Sequence, residues 1–130
     1  VELDSTFAFA ALRLVETYGW RGADTGDAAR ALAAAVRHAD RLAPRERALL
    51  DLRRLHEAGD LRAVERAAAL AERYPGDAEV RYVEADVYFH AADALGDAVE
   101  ARAVAAFDTA LALDSLSSRV LAHAMDLARR

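Results

Sequence analysis

The sequence predicts an all-α chain of about seven helices that pack as antiparallel helix-turn-helix pairs. Alanine, the residue with the highest helix propensity, makes up about a quarter of the 130 residues. There are only two prolines and six glycines, and β-branched residues are few. Apolar residues recur at helical spacing between clear stop signals, and no segment shows the alternation expected of a strand.

A glycine-containing turn separates the first two predicted helices. The first spans about residues 6–18, places Leu14 on its apolar face and ends at Gly19. The second begins near Thr25 and carries apolar residues at helical spacing as far as Leu42. Both segments are therefore predicted to bury one face.

Proline and glycine delimit the third and fourth predicted helices. Pro44 fits the first position of the third, because its missing N–H would have no intrahelical partner there. This helix stops at Gly59. Asp60 is predicted to cap the fourth helix, which continues to Tyr74, where Pro75-Gly76 breaks the chain.

The last three predicted helices span residues 77–94, residues 97 or 99 to 113, and about 117 to the end. The short links require neighbouring helices to pack as antiparallel hairpins, and stacking then buries the apolar face that one hairpin leaves open. The predicted units are 5–43, 44–75 and 76–115, with a terminal helix at 116–130. Because residues 1–4 resemble the end of a helix, we expect a segment cut from a longer protein.

A half-repeat near the C-terminus carries a family resemblance. Ala103, Phe107 and Ala110 follow the small, aromatic, small order of the second helix of a tetratricopeptide repeat, and a closing turn ends at Ser115. Other matches are Ala10, Leu14 and Tyr18 to a first helix, and Gly59-Asp60, Val64, Ala68 and Ala71 to a second helix. The chain thus resembles the tetratricopeptide repeat, with a period of about 34 residues, and the resemblance implies a right-handed superhelix.

More narrowly, the chain is similar to repeat arrays of large bacterial signalling proteins, some of which stand beside kinase or transcription-regulator domains. Residues 4–8, 39–47 and 73–77 carry this similarity. All seventeen basic residues are arginine, and lysine, asparagine, glutamine and isoleucine are absent. That bias is typical of a GC-rich bacterial genome.

The resemblance implies that the first helices of successive pairs line a concave groove that binds partners. The groove-facing positions are Phe9, Leu12, Glu16, Trp20, Leu49, Arg53, His56, Glu57, Tyr82, Asp86, Phe89 and His90. Aromatic residues mixed with both signs of charge are typical of protein-binding surfaces. The alternative for each residue is a core position or a solvated face. The lysine and asparagine clamp that grips acidic chaperone tails is missing.

Several function classes are disfavoured. A net charge of −5 argues against nucleic-acid binding, and no apolar run approaches the ~20 residues needed to span a bilayer. No signal peptide is recognisable, so a cytoplasmic location is favoured. Asp86 and His90 share a helix face, but two ligands are too few for a metal site. His123 is expected to be a partly buried structural histidine.

We therefore expect a non-catalytic protein-interaction scaffold with no cofactor and no metal. No nucleophile has a base at a recognisable spacing, and the glycines form no phosphate-binding loop. The partner is expected to be a peptide or protein segment on the concave face. The alternative is an intramolecular regulatory or self-association segment of a signalling protein, for which Leu121 and Leu127 on the terminal helix would matter.

Overall fold

The computed structural model describes residues 5–21 and 25–127. In these ranges the chain forms seven α-helices and one short 3₁₀-helix, and no strand. The elements are α1 Ser5–Arg21, α2 Thr25–Arg37, η1 Ala39–Arg41, α3 Pro44–Glu57, α4 Arg62–Arg73, α5 Ala78–Leu95, α6 Asp97–Leu113 and α7 Ser118–Leu127. The predicted all-α class and the number of helices are confirmed for this part of the chain. None of these helices combines the length and apolarity that crossing a bilayer requires.

The chain divides into two compact units, Val1–Arg54 and Leu55–Arg130. In the first unit α1 packs against α2. Its core contains Ala8, Ala11, Leu12, Ala35, Leu42 and Leu50. The prediction that Leu14 lies on the buried face is wrong, because Leu14 is exposed while Leu12 and Val15 are buried. The buried stripe of α1 therefore follows positions 8, 12 and 15, which are neighbours on one helix face.

Two helix ends in the first unit differ from the prediction. Helix α1 continues past Gly19 to Arg21, and the second helix ends at Arg37 before η1, although it was expected to reach Leu42. The guanidinium of Arg47 donates to three backbone carbonyls of the link, those of Ala39, Asp40 and Leu42. These hydrogen bonds stabilise the link after α2, because the guanidinium holds three of its backbone carbonyls at once.

Helix α5 lies at the centre of the second unit. It packs against α4 and α6, and α6 also packs against α7. Ala85 on α5 and Ala103 on α6 are fully buried, and Ala110 is nearly so. Such small side chains let two helix backbones approach closely, so the alanine content that predicted helices also sets the packing distance.

Aspartates lie just before two helices of this unit. The Asp77 carboxylate accepts hydrogen bonds from the backbone N–H groups of Glu79 and Val80, which caps α5. The Asp60 carboxylate accepts from the backbone N–H of Arg62, the first residue of α4. The side chain of Arg62 also donates to Asp60, and these hydrogen bonds hold the pKa of Asp60 below its ordinary value. Both carboxylates satisfy N–H groups in the first turn of a helix, although the residue directly before α4 is Leu61, so Asp60 is not its N-cap as predicted.

Gly96, the single residue between α5 and α6, has a backbone conformation that is essentially restricted to glycine, with φ 84° and ψ −173°. A Cβ at this position would meet no atom within 4 Å, so the cost of adding one is conformational. We expect Gly96→Ala to lower the free energy of unfolding by about 1–3 kcal/mol in urea denaturation. Gly76→Ala is the control, because Gly76 is equally open and lacks a positive φ. Equal losses at the two glycines would contradict the assignment.

Candidate functional site

A buried carboxylate, that of Asp86 on α5, lies at the centre of a histidine cluster in the second unit. The side chain is 11% exposed. Its Oδ1 lies 3.1 Å from Nε2 of His123 on α7 and 3.5 Å from Nε2 of His90 on α5. Its Oδ2 lies 3.8 Å from Nε2 of His56, near the end of α3. We call these four residues the Asp86 cluster.

Helix geometry and aromatic packing position this cluster. Asp86 and His90 are four residues apart on α5 and therefore share a face. The ring of His123 stacks on Phe107 of α6, with centroids 5.5 Å apart and an interplanar angle of 21°. Phe89 packs against His123 edge-on at 5.3 Å. Asp86 itself is buried, and the low dielectric around it strengthens its electrostatic interactions.

Hydrogen bonding indicates that His123 is an imidazolium. Its Nδ1 lies 3.0 Å from the backbone carbonyl oxygen of Arg119, and its Nε2 faces Asp86. Because both nitrogens face oxygen acceptors, both carry a proton. The hydrogen bond to Asp86 raises the pKa of His123 in spite of burial, which acts in the opposite direction. Burial alone would raise the pKa of Asp86, but hydrogen bonds from His123 and His90 hold that pKa well below its ordinary value. The raised pKa of His123 and the lowered pKa of Asp86 both favour an ion pair between the two residues.

Three members of the cluster have the ligand types of a metal site. One ligand atom each from His56, Asp86 and His90 lies within 4.8 Å of the others. Imidazole nitrogen and carboxylate oxygen are common ligands of Zn²⁺ and related divalent ions. Of these residues, Asp86 and His90 share a helix, and only they were predicted to lie together. The fold adds His56 from another helix, so the objection that ligands are too few no longer holds.

The sequence contains a pattern that indicates this cluster, although the prediction of each helix by itself did not use it. His56, His90 and His123 follow one another at almost equal intervals along the chain. His123 was expected to be only a structural histidine of the terminal helix, and its contact with Asp86 was not predicted.

The predicted groove residues of the second unit differ in their exposure. Asp86 and Phe89 are buried. His90, with 53% of its side chain exposed, and Glu57 are exposed. Tyr82 is half-buried, and the guanidinium carbon of Arg119 lies 4.9 Å from the centre of its ring. The buried residues can only support the neighbouring surface, whereas His90 and Glu57 are accessible from solvent.

The predicted groove residues of the first unit are also mixed. Glu16 pairs with Arg13, whose Nη1 lies 2.8 Å from a carboxylate oxygen, and the guanidinium carbon of Arg13 lies 4.8 Å from the ring centroid of Phe9. Arg53 is half-buried. Leu12 and Leu49 are buried. The side chain of Trp20 lies outside the described residues.

A second polar network surrounds the buried Glu84 on the α6 side of α5. Its carboxylate accepts from Arg81 at 2.9 Å and from the hydroxyl of Tyr88 at 3.0 Å. Arg102 of α6 donates to the same hydroxyl at 2.5 Å and stacks over the ring. Burial and the Glu84 charge raise the pKa of Tyr88 to about 12. The network lines a cleft of about 350 Å³, and its groups satisfy one another, so it stabilises the α5–α6 packing.

No protein-family model, curated protein or solved structure matches this chain.

Proposed function

We propose that this chain is a non-catalytic protein-interaction scaffold of the tetratricopeptide-repeat type. Its helix pairs would stack as a right-handed superhelix and hold a peptide or protein segment on the face formed by the first helices of the pairs. The supporting observation is that α3, α5 and α7, which alternate along the chain, all contribute side chains to the Asp86 cluster. Alternate helices share a face when helix pairs stack as repeats.

The histidine spacing supports the same arrangement from the sequence. His56, His90 and His123 recur at nearly equal intervals, and each lies against the same carboxylate. Each interval is close to the tetratricopeptide period of about 34 residues. Equivalent positions of three successive repeats would therefore supply the three histidines.

The chemistry of this face suits protein recognition. His90 and Glu57 are exposed, and Tyr82 presents a half-buried ring beside the guanidinium of Arg119. Tyrosine and arginine are the residues on which binding energy is often concentrated, because each offers a large rigid surface with a polar end. The buried Asp86 contacts three histidines and so stabilises the arrangement of the helices that form this face.

Affinity capture from a bacterial lysate tests this proposal. The bait is the full chain, compared with an Arg53→Glu/Tyr82→Ala/His90→Ala variant and with a control, Arg66→Glu/Val104→Ala, that changes exposed positions of α4 and α6. We expect one protein to be captured by the unchanged chain and the control but lost with the triple variant. If the triple variant still captures the protein and the control does not, the binding surface includes the changed positions of α4 and α6 and not the proposed face.

A second candidate function is self-association or docking on an attached regulatory domain, as in a kinase or transcription regulator. The observation that favours it is the exposure of large apolar residues on and near α7, namely Leu113, Leu116, Leu121 and Met125. Clustered exposed apolar residues mark interaction sites. The side chain of Leu127, named with Leu121 in the sequence prediction, lies outside the described residues.

Light scattering separates the two candidates. If the second is correct, the mass rises with concentration towards a dimer, and Leu121→Asp together with Met125→Asp restores the monomer. If the chain stays monomeric at all concentrations and capture depends on Tyr82 and His90, self-association is excluded and the scaffold function is supported.

A further inference from the structure

We propose that His56, Asp86 and His90 form a binding site for a divalent transition-metal ion of the Zn²⁺ class. The three residues supply two imidazole nitrogens and one carboxylate oxygen from two helices, α3 and α5. This inference is independent of the partner-binding role, because it rests on the ligand atoms alone.

The distances between the ligand atoms fit a small ion. In a tetrahedral zinc site with bonds of 2.0–2.2 Å, neighbouring ligand atoms are about 3.4 Å apart. Nε2 of His90 lies 3.5 Å from Oδ1 of Asp86, and Nε2 of His56 lies 3.8 Å from Oδ2. All three ligand atoms lie within 4.8 Å of one another. Closing the widest of these separations, at most 4.8 Å, to about 3.4 Å requires relative side-chain movements of up to about 1.4 Å.

His123 orients the carboxylate and is not itself a ligand. Both of its nitrogens already face oxygen atoms, those of the Arg119 carbonyl and Asp86. Its Nε2–H donates to Oδ1 at 3.1 Å, so this interaction fixes the rotation of the Asp86 side chain. A ligating carboxylate held by a hydrogen bond is the usual arrangement of a metal site, because the partner reduces the entropy lost on binding.

An ion could enter the site and retain an open coordination position. More than half of the His90 side chain is exposed, whereas Asp86 is buried, so the site opens to solvent at its histidine edge. Three protein ligands with a solvent molecule in the fourth position are typical of open zinc sites. The ion would join α3 to α5, and binding would stabilise the folded state by mass action.

Calorimetric titration of the tag-free, chelator-treated full chain with ZnCl₂ at neutral pH tests the proposal. We expect one ion per chain. We expect His90→Gln and Asp86→Asn each to weaken binding by more than the roughly 10- to 100-fold that loss of an outer-shell partner costs. His123→Gln, which keeps a hydrogen-bond donor, should weaken it by no more than that. His38→Gln is the matched control and should bind as the unchanged chain does.

Visible absorption of the Co²⁺-loaded chain provides a second measurement. We expect a spectrum of low-symmetry coordination that is lost in His90→Gln. Because this side chain is exposed, the variant should keep its helical circular dichroism, and loss of binding would then not reflect unfolding. The proposal is overturned if the folded chain binds no Zn²⁺, if His90→Gln binds as tightly as the unchanged chain, or if His38→Gln removes the binding.

Discussion

Phe107→Ala is expected to lower the free energy of unfolding by about 3–5 kcal/mol, the largest effect of any single substitution considered. Phe107 on α6 is 2% exposed. Its ring centroid lies 6.4 Å from those of Tyr82 and Phe89 on α5 and 5.5 Å from that of His123 on α7. Truncation would leave a cavity where three helices meet. Urea denaturation followed by circular dichroism measures the loss.

The control is Val104→Ala on the same helix. Val104 is 44% exposed, so its truncation removes little buried surface and should change the free energy of unfolding by no more than about 0.5 kcal/mol. Losses of the same size in the two variants would show that Phe107 does not fill the space between α5, α6 and α7.

Asp86→Asn is expected to cost about 2–3 kcal/mol near pH 6, because it removes a buried carboxylate from its charged hydrogen-bond partner His123. Asparagine has nearly the same shape, so the loss reports charge rather than packing. The measurement is urea denaturation with a chelator present, so that no metal contributes. Asp108→Asn makes the same change at an exposed position of α6 and should have a negligible effect.

The cost of Asp86→Asn should depend on pH. The pKa of Asp86 is lowered in the folded state, so its contribution is present above the unfolded value near ~3.9 and is lost as the pH falls through the folded pKa. The pKa of His123 is raised, so its contribution is present below ~6.5 and is lost as the pH rises through the folded pKa. His56 and His90 also face the carboxylate, and Asp126 also raises the pKa of His123.

The difference between the unchanged chain and Asp86→Asn should therefore be largest between about pH 4 and 6.5 and should shrink on either side. A difference that stays constant from pH 4 to pH 9 would exclude the ion pair with His123 as its source.

The helices were predictable because their signals are local. Periodic apolar residues and the breaks at Pro44, Gly59 and Pro75 delimit segments without reference to the rest of the chain. The break at residue 38 was not predictable in this way. It depends on Arg47, which lies one helix further along and binds the carbonyls of the link. The sequence between Thr25 and Leu42 is helical in character throughout.

The site was only partly predictable, because its members lie on different helices. The pairing of Asp86 with His90 follows from their separation of four residues, which is fixed by helix geometry. The approach of His56 and His123 to Asp86 depends on how α3 and α7 pack beside α5. The periodicity of side chains within one helix does not predict how different helices pack. Only the recurrence of histidine at nearly equal intervals, at positions 56, 90 and 123, held that signal. Burial of Asp86 and Phe89 was likewise set by packing.

The proposed scaffold requires that α3, α5 and α7 meet at Asp86, and the proposed metal site requires that α3 and α5 do. Nuclear Overhauser contacts between ring protons test this most directly, because the chain has only four histidines and four tyrosines. The structure predicts contacts between His56 and His90, whose ring centroids are 5.2 Å apart, and between His123 and Tyr82, at 5.9 Å. Absence of both contacts in the folded chain would contradict the shared face.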